Sequence, residues 1–174
     1  MAAQQRYAKV SGLVEDVHLS DLVGDALRIL ESGLIGHRIK VEQDYEDLPE
    51  IPAEKHKILQ ILLNLLRNAK QSIVERGGEG ERVIQVCIRR LESRFRVVVR
   101  DTGVGLPSEN LTRIFGHGFT TKADGHGFGL HSCALAAREM GGSLWAESEG
   151  LGRGATFILE LPLKVTAVQD GTDL

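Results

Sequence analysis

Residues 53–76, AEKHKILQILLNLLRNAKQSIVER, constrain this chain more than any other stretch. Leu59, Leu62, Leu63, Leu66, Ala69 and Ile73 recur at three- and four-residue intervals, the spacing of one buried helical stripe. Ile61 and Leu65 widen the stripe until the helix is apolar almost all round, so it must pack deeply among other elements. Gly77 and Gly78 close it. Into this apolar cylinder are set Asn64 and Asn68, four apart and therefore on one face, with Gln60 and Gln71 extending the polar edge. A buried amide without a partner costs about 1–3 kcal/mol. Backbone groups could satisfy one such Asn; two on one face, flanked by Gln, point to a polar ligand. Amide oxygens are hard donors of the kind Mg²⁺ accepts beside phosphates.

The rest of the chain supplies the cover. LSDLVGDALRILESG reads as a helix opening at Ser20 and ended by Gly33 and Gly36. HRIKVEQDY alternates like a strand, and DLPEIP reads as a turn. ERVIQVCIRRL and RFRVVVRD form a strand pair joined through Glu92 and Ser93. SENLTRIF is a short helix, GFGLHSCALAAREMGG a longer one, and SLWAESEG with ATFILELPL a closing hairpin turned by LGRG. This imperfect alternation predicts an α/β fold in which a mixed sheet carries its helices on one face. At 174 residues it amounts to one ordinary domain. A net charge of −3 offers no basic face for nucleic acid, and the interrupted apolar runs are too short to span a bilayer. The start MAAQQRYAKV lacks a signal-peptide pattern, which makes the cytoplasm the expected compartment. Cys87 and Cys133 read as buried thiols, and the spacing of His117, His126 and His131 suits no common zinc site.

Between Val99 and Leu130 lie seven glycines, each one a cost to regular structure. Asp101 ends the hydrophobic strand RVVV, so its carboxylate is expected to project from the sheet edge, with Gly103 and Gly105 leaving bare backbone for a flat ligand. A carboxylate accepts a hydrogen bond from an amine, which adenine presents where guanine presents a carbonyl oxygen. Further on, Gly125, Gly127 and Gly129 stand at the mouth of a helix, where free N–H groups and the helix dipole favour phosphate. There is no Walker loop and no dinucleotide fingerprint.

Taken together and in this order, these motifs closely resemble the ATP-binding catalytic domain of sensor histidine kinases, within the superfamily shared with gyrase, a heat-shock chaperone and MutL. The resemblance runs from about Leu19 to Leu163. LLNLLRNA resembles the N box, with Asn64 and Asn68 at its asparagine positions. DTGVG resembles the first glycine box, IFGHGFTTK the phenylalanine box, GHGFGL the second glycine box and GRGATF the last glycine-threonine segment. The implied fold is a two-layer α/β sandwich of the Bergerat type, three helices backing the mixed sheet.

The resemblance implies ATP and Mg²⁺ as cofactors. Asn64 and Asn68 are the implied metal ligands, and Asn64 with Lys122 the implied catalytic pair. Asn64, Asn68, Gln71, Asp101, Gly103, Gly105, Thr121, Lys122, Gly125, His126, Gly127, Gly129, Leu130 and Thr156 would contact the nucleotide, Thr156 from beneath the adenine. Residues 106–126 would be the lid. Residues 1–18 would be the trailing end of a preceding helical dimerisation and histidine domain with its linker, 19–163 the catalytic domain and 164–174 a tail or linker. Gln71 stands where many relatives carry Lys, and Asn64 where the gyrase branch carries Glu. An amide cannot act as a general base, so histidine phosphorylation fits better than rapid ATP hydrolysis.

The implied function is delivery of the γ-phosphoryl group of Mg-ATP to a histidine on a separate helical domain, with a response regulator receiver domain as an indirect partner. The fragment itself is expected to be monomeric, without nucleic-acid or direct membrane contact. Two other readings share these boxes: a serine kinase of the anti-sigma type, and a nucleotide-sensing module that transfers nothing. None of His18, His37, His56, His117, His126 or His131 has the acidic and proline context of a phosphoacceptor.

Overall fold

In the computed structural model, which describes residues 12–120 and 129–163, a short strand β1 (Glu15–Val17) leads into helix α1 (Leu19–Gly36), then β2 (Lys40–Tyr45) and β3 (Ile51–Ala53). The long helix α2 (Lys55–Arg76) follows, then the hairpin β4 (Val83–Arg90) and β5 (Arg94–Asp101). The one-turn helix α3 (Asn110–Arg113), the helix α4 (Gly129–Glu139) and the hairpin β6 (Ser143–Glu147) and β7 (Thr156–Pro162) complete it.

The main sheet has the order β2-β4-β5-β7-β6, parallel only between β2 and β4. Strand periodicity decides its faces. Phe95, Val97 and Val99 of β5 point to the same side as Ile84, Val86 and Ile88 of β4 and Phe157, Leu159 and Leu161 of β7, and all of these are buried. On that side α2 lies over β4 and β5, flanked by α1 and α4. The expected two-layer sandwich, a mixed sheet with three helices on one face, is the observed one. On the opposite face Arg94 and Arg96 both reach Glu160, at 3.1 and 2.6 Å, and Arg96 stacks over Trp145.

Three local expectations change. The buried stripe of α2 is Ile58, Ile61, Leu62, Leu65, Leu66, Ala69 and Ile73, with Leu59 and Leu63 only half-buried. With neighbours on both flanks and a sheet below, the helix buries a broader arc than one stripe. The second half of DLPEIP is strand, not turn: Val17 and Ile51 pair antiparallel, and Pro52 is tolerated because a two-stranded ribbon has free edges. Helix α1 starts at Leu19 after His18, and Gly33 lies inside it. It ends by a reversal in which Ile39 N–H bonds Leu34 O and Arg38 N–H bonds Ile35 O, both at 2.9 Å. Arg38 occupies the left-handed position of that motif (φ 54°), where glycine is usual.

Candidate functional site

The polar line on α2 runs on further than its asparagines. Asn68 Nδ2 donates to Asn64 Oδ1 at 3.0 Å, and one turn later Ser72 Oγ donates to Asp101 Oδ1 at 3.2 Å. Positions 64, 68 and 72 form one ridge at i, i+4, i+8. Sequence reading took Gln60 and Gln71 as its ends, but both are exposed, and Ser72 was missed. The signal was its four-residue spacing from Asn68.

Asp101 is the one buried charged residue among the described residues, with 2% of its surface exposed. It continues the inward alternation of Phe95, Val97 and Val99. Its carboxylate therefore turns under α2 rather than outward from the sheet edge, as the strand pattern had suggested. Burial pushes its pKa above the ordinary carboxylate value, opposed by the N–H of Gly103, the Ser72 hydroxyl, the backbone at Ala155 and the charge of Arg76. The Gly103 N–H donates to Oδ1 at 2.7 Å.

The glycines around this carboxylate have a different use from the expected one. A Cβ on Gly103 would fall 2.0 Å from Ser72 Oγ, and one on Gly105 2.1 Å from the carbonyl oxygen of Gly150. On Gly154 it would fall 1.9 Å from the carbonyl oxygen of Asp101. Gly105 and Gly154 also hold positive φ angles, 72° and 69°. Their missing side chains let the protein's own backbone approach, and the loops at 102–106 and 148–154 are thereby stitched together. Gly152 N–H bonds Val104 O at 2.6 Å, while Ser148 Oγ accepts from Leu106 N–H at 3.0 Å and donates to Gly154 O at 2.7 Å.

Gly129, at the start of α4, abuts Asn64: a Cβ there would lie 2.3 Å from its Nδ2. The helix mouth and the asparagine ridge therefore meet. Leu130 is half-buried against the core. His131, which the motifs left without a role, sets Nδ1 3.0 Å from the carbonyl oxygen of Phe115 and places its ring edge-on to His117. It ties α4 to the segment after α3.

Thr156 requires correction. It pairs with Arg100, and Phe157 with Val99, so Thr156 faces away from the helix layer and from Asp101. The residue beside Asp101 is Ala155, whose carbonyl accepts the Asp101 N–H at 2.9 Å. The frame of GRGATF was therefore read one residue too far along. Thr121, Lys122, Gly125, His126 and Gly127 lie outside the described residues, as do the last six residues of the expected lid, 121–126. Among the described residues no cluster of three His, Cys, Asp or Glu could hold a metal. None of their helices is long and apolar enough to cross a membrane.

Residues 53–165, which hold the ridge, Asp101 and the mouth of α4, match the family of histidine kinase-, DNA gyrase B-, and HSP90-like ATPases. The chain belongs to that family. Its similarity to the sensor histidine kinase ZraS of Escherichia coli K12 is 33% identity over 154 residues, 88% of this chain and 32% of ZraS. It is also 30% identical over 151 residues to the adaptive-response sensory kinase SasA of Parasynechococcus marenigrum, covering 83% of this chain and 38% of SasA. The ATPase domain thus spans about a third of the length of the curated relatives it matches.

Among solved structures, the catalytic domain of histidine kinase ThkA superposes with a TM-score of 0.76 at 27% identity, covering 87% of this chain and 96% of that one. Full-length ShkA, solved in complex with AMPPNP, gives 0.79 at 26% identity over 92% of this chain and 33% of ShkA. ThkA has also been solved in complex with the response regulator protein TrrA. This is an ATPase domain of the histidine kinase type.

Proposed function

We propose that this domain binds Mg-ATP and presents the γ-phosphoryl group to a histidine on a separate helical domain of a sensor kinase, from which a response regulator receiver domain would be served. The observation that carries the reading is the buried Asp101, held by Gly103 and Ser72 at one end of a ridge whose other end, Asn64, touches the mouth of α4. A carboxylate kept in a buried site against its desolvation cost needs a polar use, and an amine of adenine supplies one. The ridge joins that base site to a helix N-terminus suited to phosphate.

Asn64 and Asn68 suit Mg²⁺ by donor type, but they are not equivalent. Asn68 Nδ2 donates to Asn64 Oδ1, so Asn68 orients the Asn64 oxygen, and both amides are assigned as ligands. Bound there, Mg²⁺ would neutralise phosphate charge. The protein's own part is to fix the base at Asp101 and align the phosphates for in-line transfer. By the family's pattern, Lys122 and Thr121 are assigned to the lid, Gly125, His126, Gly127, Gly129 and Leu130 to the second glycine box at the phosphates, and Gln71, Gly103 and Gly105 to the rest of the nucleotide site.

Incubation with γ-labelled ATP tests the reading. The isolated chain should bind ATP yet carry no stable phosphohistidine, and a histidine-bearing helical domain added in trans should become labelled. Acid-labile label on this chain alone would refute the division of labour, label on a partner serine would favour the anti-sigma type, and binding with no transfer would favour a nucleotide sensor.

A further inference from the structure

We propose that Ser72 is a positioning residue for base recognition, aiming the Asp101 carboxylate at the exocyclic amine of adenine. The inference rests on the Asp101 reading above and adds a residue that none of the recognised boxes includes. A hydroxyl has one proton and can accept as well as donate. Val104 N–H donates to Ser72 Oγ at 3.0 Å, so that contact uses an acceptor lone pair and leaves the single proton for Asp101 Oδ1 at 3.2 Å. Gly103 N–H, at 2.7 Å, is directed to the same oxygen. These two donors meet at Oδ1, which helps fix the carboxylate plane and leaves Oδ2 for the ligand and the backbone at Ala155.

The fit is tight because Gly103 leaves no room for a Cβ against Ser72, so the loop after β5 rests directly on the helix. Packing alone needs no hydroxyl here; an alanine would cover the same patch of α2.

The surroundings give that hydroxyl its leverage. Of the elements packed around the carboxylate, α2 contributes the charge of Arg76, which favours the ionised form. Strand β4 presents Ile84 opposite Asp101, Ala155 lies beside it before β7, and Gly103 and Val104 follow it in the loop, all uncharged. The backbone at Gly103 and at Ala155 and the charge of Arg76 share control of the carboxylate with the Ser72 proton, which is the one side-chain hydrogen bond among them.

Ser72→Ala tests this against ATP and against purine riboside triphosphate, which lacks the 6-amino group. Calorimetry should show ATP affinity falling about tenfold, the size expected for one hydrogen bond to a charged group, with the amine-free nucleotide changed less than about twofold. Ser72→Thr, which keeps the hydroxyl, should restore most of the discrimination. In ligand-free protein, the carboxyl-carbon titration of Asp101 should move to higher pH in Ser72→Ala. Equal losses for both nucleotides would overturn the proposal, leaving Ser72 as a structural prop. An unmoved titration would overturn it at Ser72. A moved titration with ATP affinity unchanged would overturn it at Asp101, showing that the carboxylate does not read the base. Should Ser72→Ala fail to fold, Ser72→Cys, with its weak S–H donor, replaces it in the same comparison.

Discussion

Gly103→Ala and Gly129→Ala introduce the same methyl group at nearly the same separation from α2, and the structure separates their consequences. At Gly103 the new Cβ would sit 2.0 Å from Ser72 Oγ and 2.6 Å from both the Cβ and the backbone carbonyl carbon of Ser72. The hydroxyl could rotate away, but only by giving up its bonds to Asp101 and Val104. The helix backbone cannot rotate, so the loop itself must move. Overpacking of this kind costs about 1–3 kcal/mol, and the lost bonds with a buried N–H left unpaired add about 1–3 kcal/mol more. A loss of about 2–6 kcal/mol is a large fraction of the stability of an ordinary domain.

At Gly129 the obstacle is different. The Cβ would meet Asn64 Nδ2 at 2.3 Å and the rest of the Asn64 amide at 3.2 Å, all of it the movable end of a side chain. The helix also gains from replacing glycine by alanine, by up to about 1 kcal/mol. Gly129→Ala should therefore change stability by less than about 1 kcal/mol while displacing Asn64 and weakening Mg-ATP binding. Urea denaturation decides the first part: with a slope of about 2 kcal/mol/M, Gly103→Ala should lower the midpoint by about 1–3 M and Gly129→Ala should move it by less than about 0.5 M. Calorimetry with Mg-ATP decides the second. Equal midpoint shifts in the two variants would refute the distinction between rigid backbone and movable side chain.

Asp101→Asn should keep or raise stability while abolishing most ATP affinity. Burial raises the folded-state pKa of Asp101, so its favourable contribution is present below the unfolded pKa and is lost as pH rises through the folded value. The variant's advantage in urea melts should accordingly shrink from neutral pH into mild acid, and a variant less stable than wild type at neutral pH would contradict the sign. Arg38→Gly, at φ 54° in the reversal after α1, should stabilise by about 0.5–1 kcal/mol and raise Tm by about 1–4 °C, read by thermal melting. His131→Ala removes the ring nitrogen 3.0 Å from the Phe115 carbonyl and should cost about 1 kcal/mol. It should also speed limited proteolysis between Leu106 and Thr120; unchanged cutting would show that the contact does not tether that segment.

Much of this was legible in the sequence because it depends on periods. The near-complete apolar girdle of α2 demanded a central helix, and the alternation in RFRVVVRD demanded a strand with a buried side. Glycine and asparagine carried the site because few other residues tolerate those contacts: Gly129 faces Asn64, and Asn68 follows Asn64 by one turn. What misled was phase. In a strand, a frame displaced by one residue moves a side chain to the opposite face, so Thr156 was placed at the base while Ala155 lies beside Asp101. The same alternation, followed one residue beyond Val99 and Arg100, would have turned Asp101 inward.

Ser72 marks where sequence alone ran out. Beyond its four-residue spacing from Asn68, nothing local distinguishes it from a solvent-facing helical serine, since its partners are 29 and 32 residues away, on β5 and in the loop behind it. His131 is a similar case, joined to Phe115 across 16 residues. The chemistry of the site, amides and a carboxylate among glycines, was determined by residue type and spacing along the chain. Which oxygen of Asp101 is held and which glycines admit the protein's own backbone were decided only when the loops at 102–106 and 148–154 closed against α2. Those choices depend on contacts between segments distant in sequence, and a one-dimensional period carries no information about them.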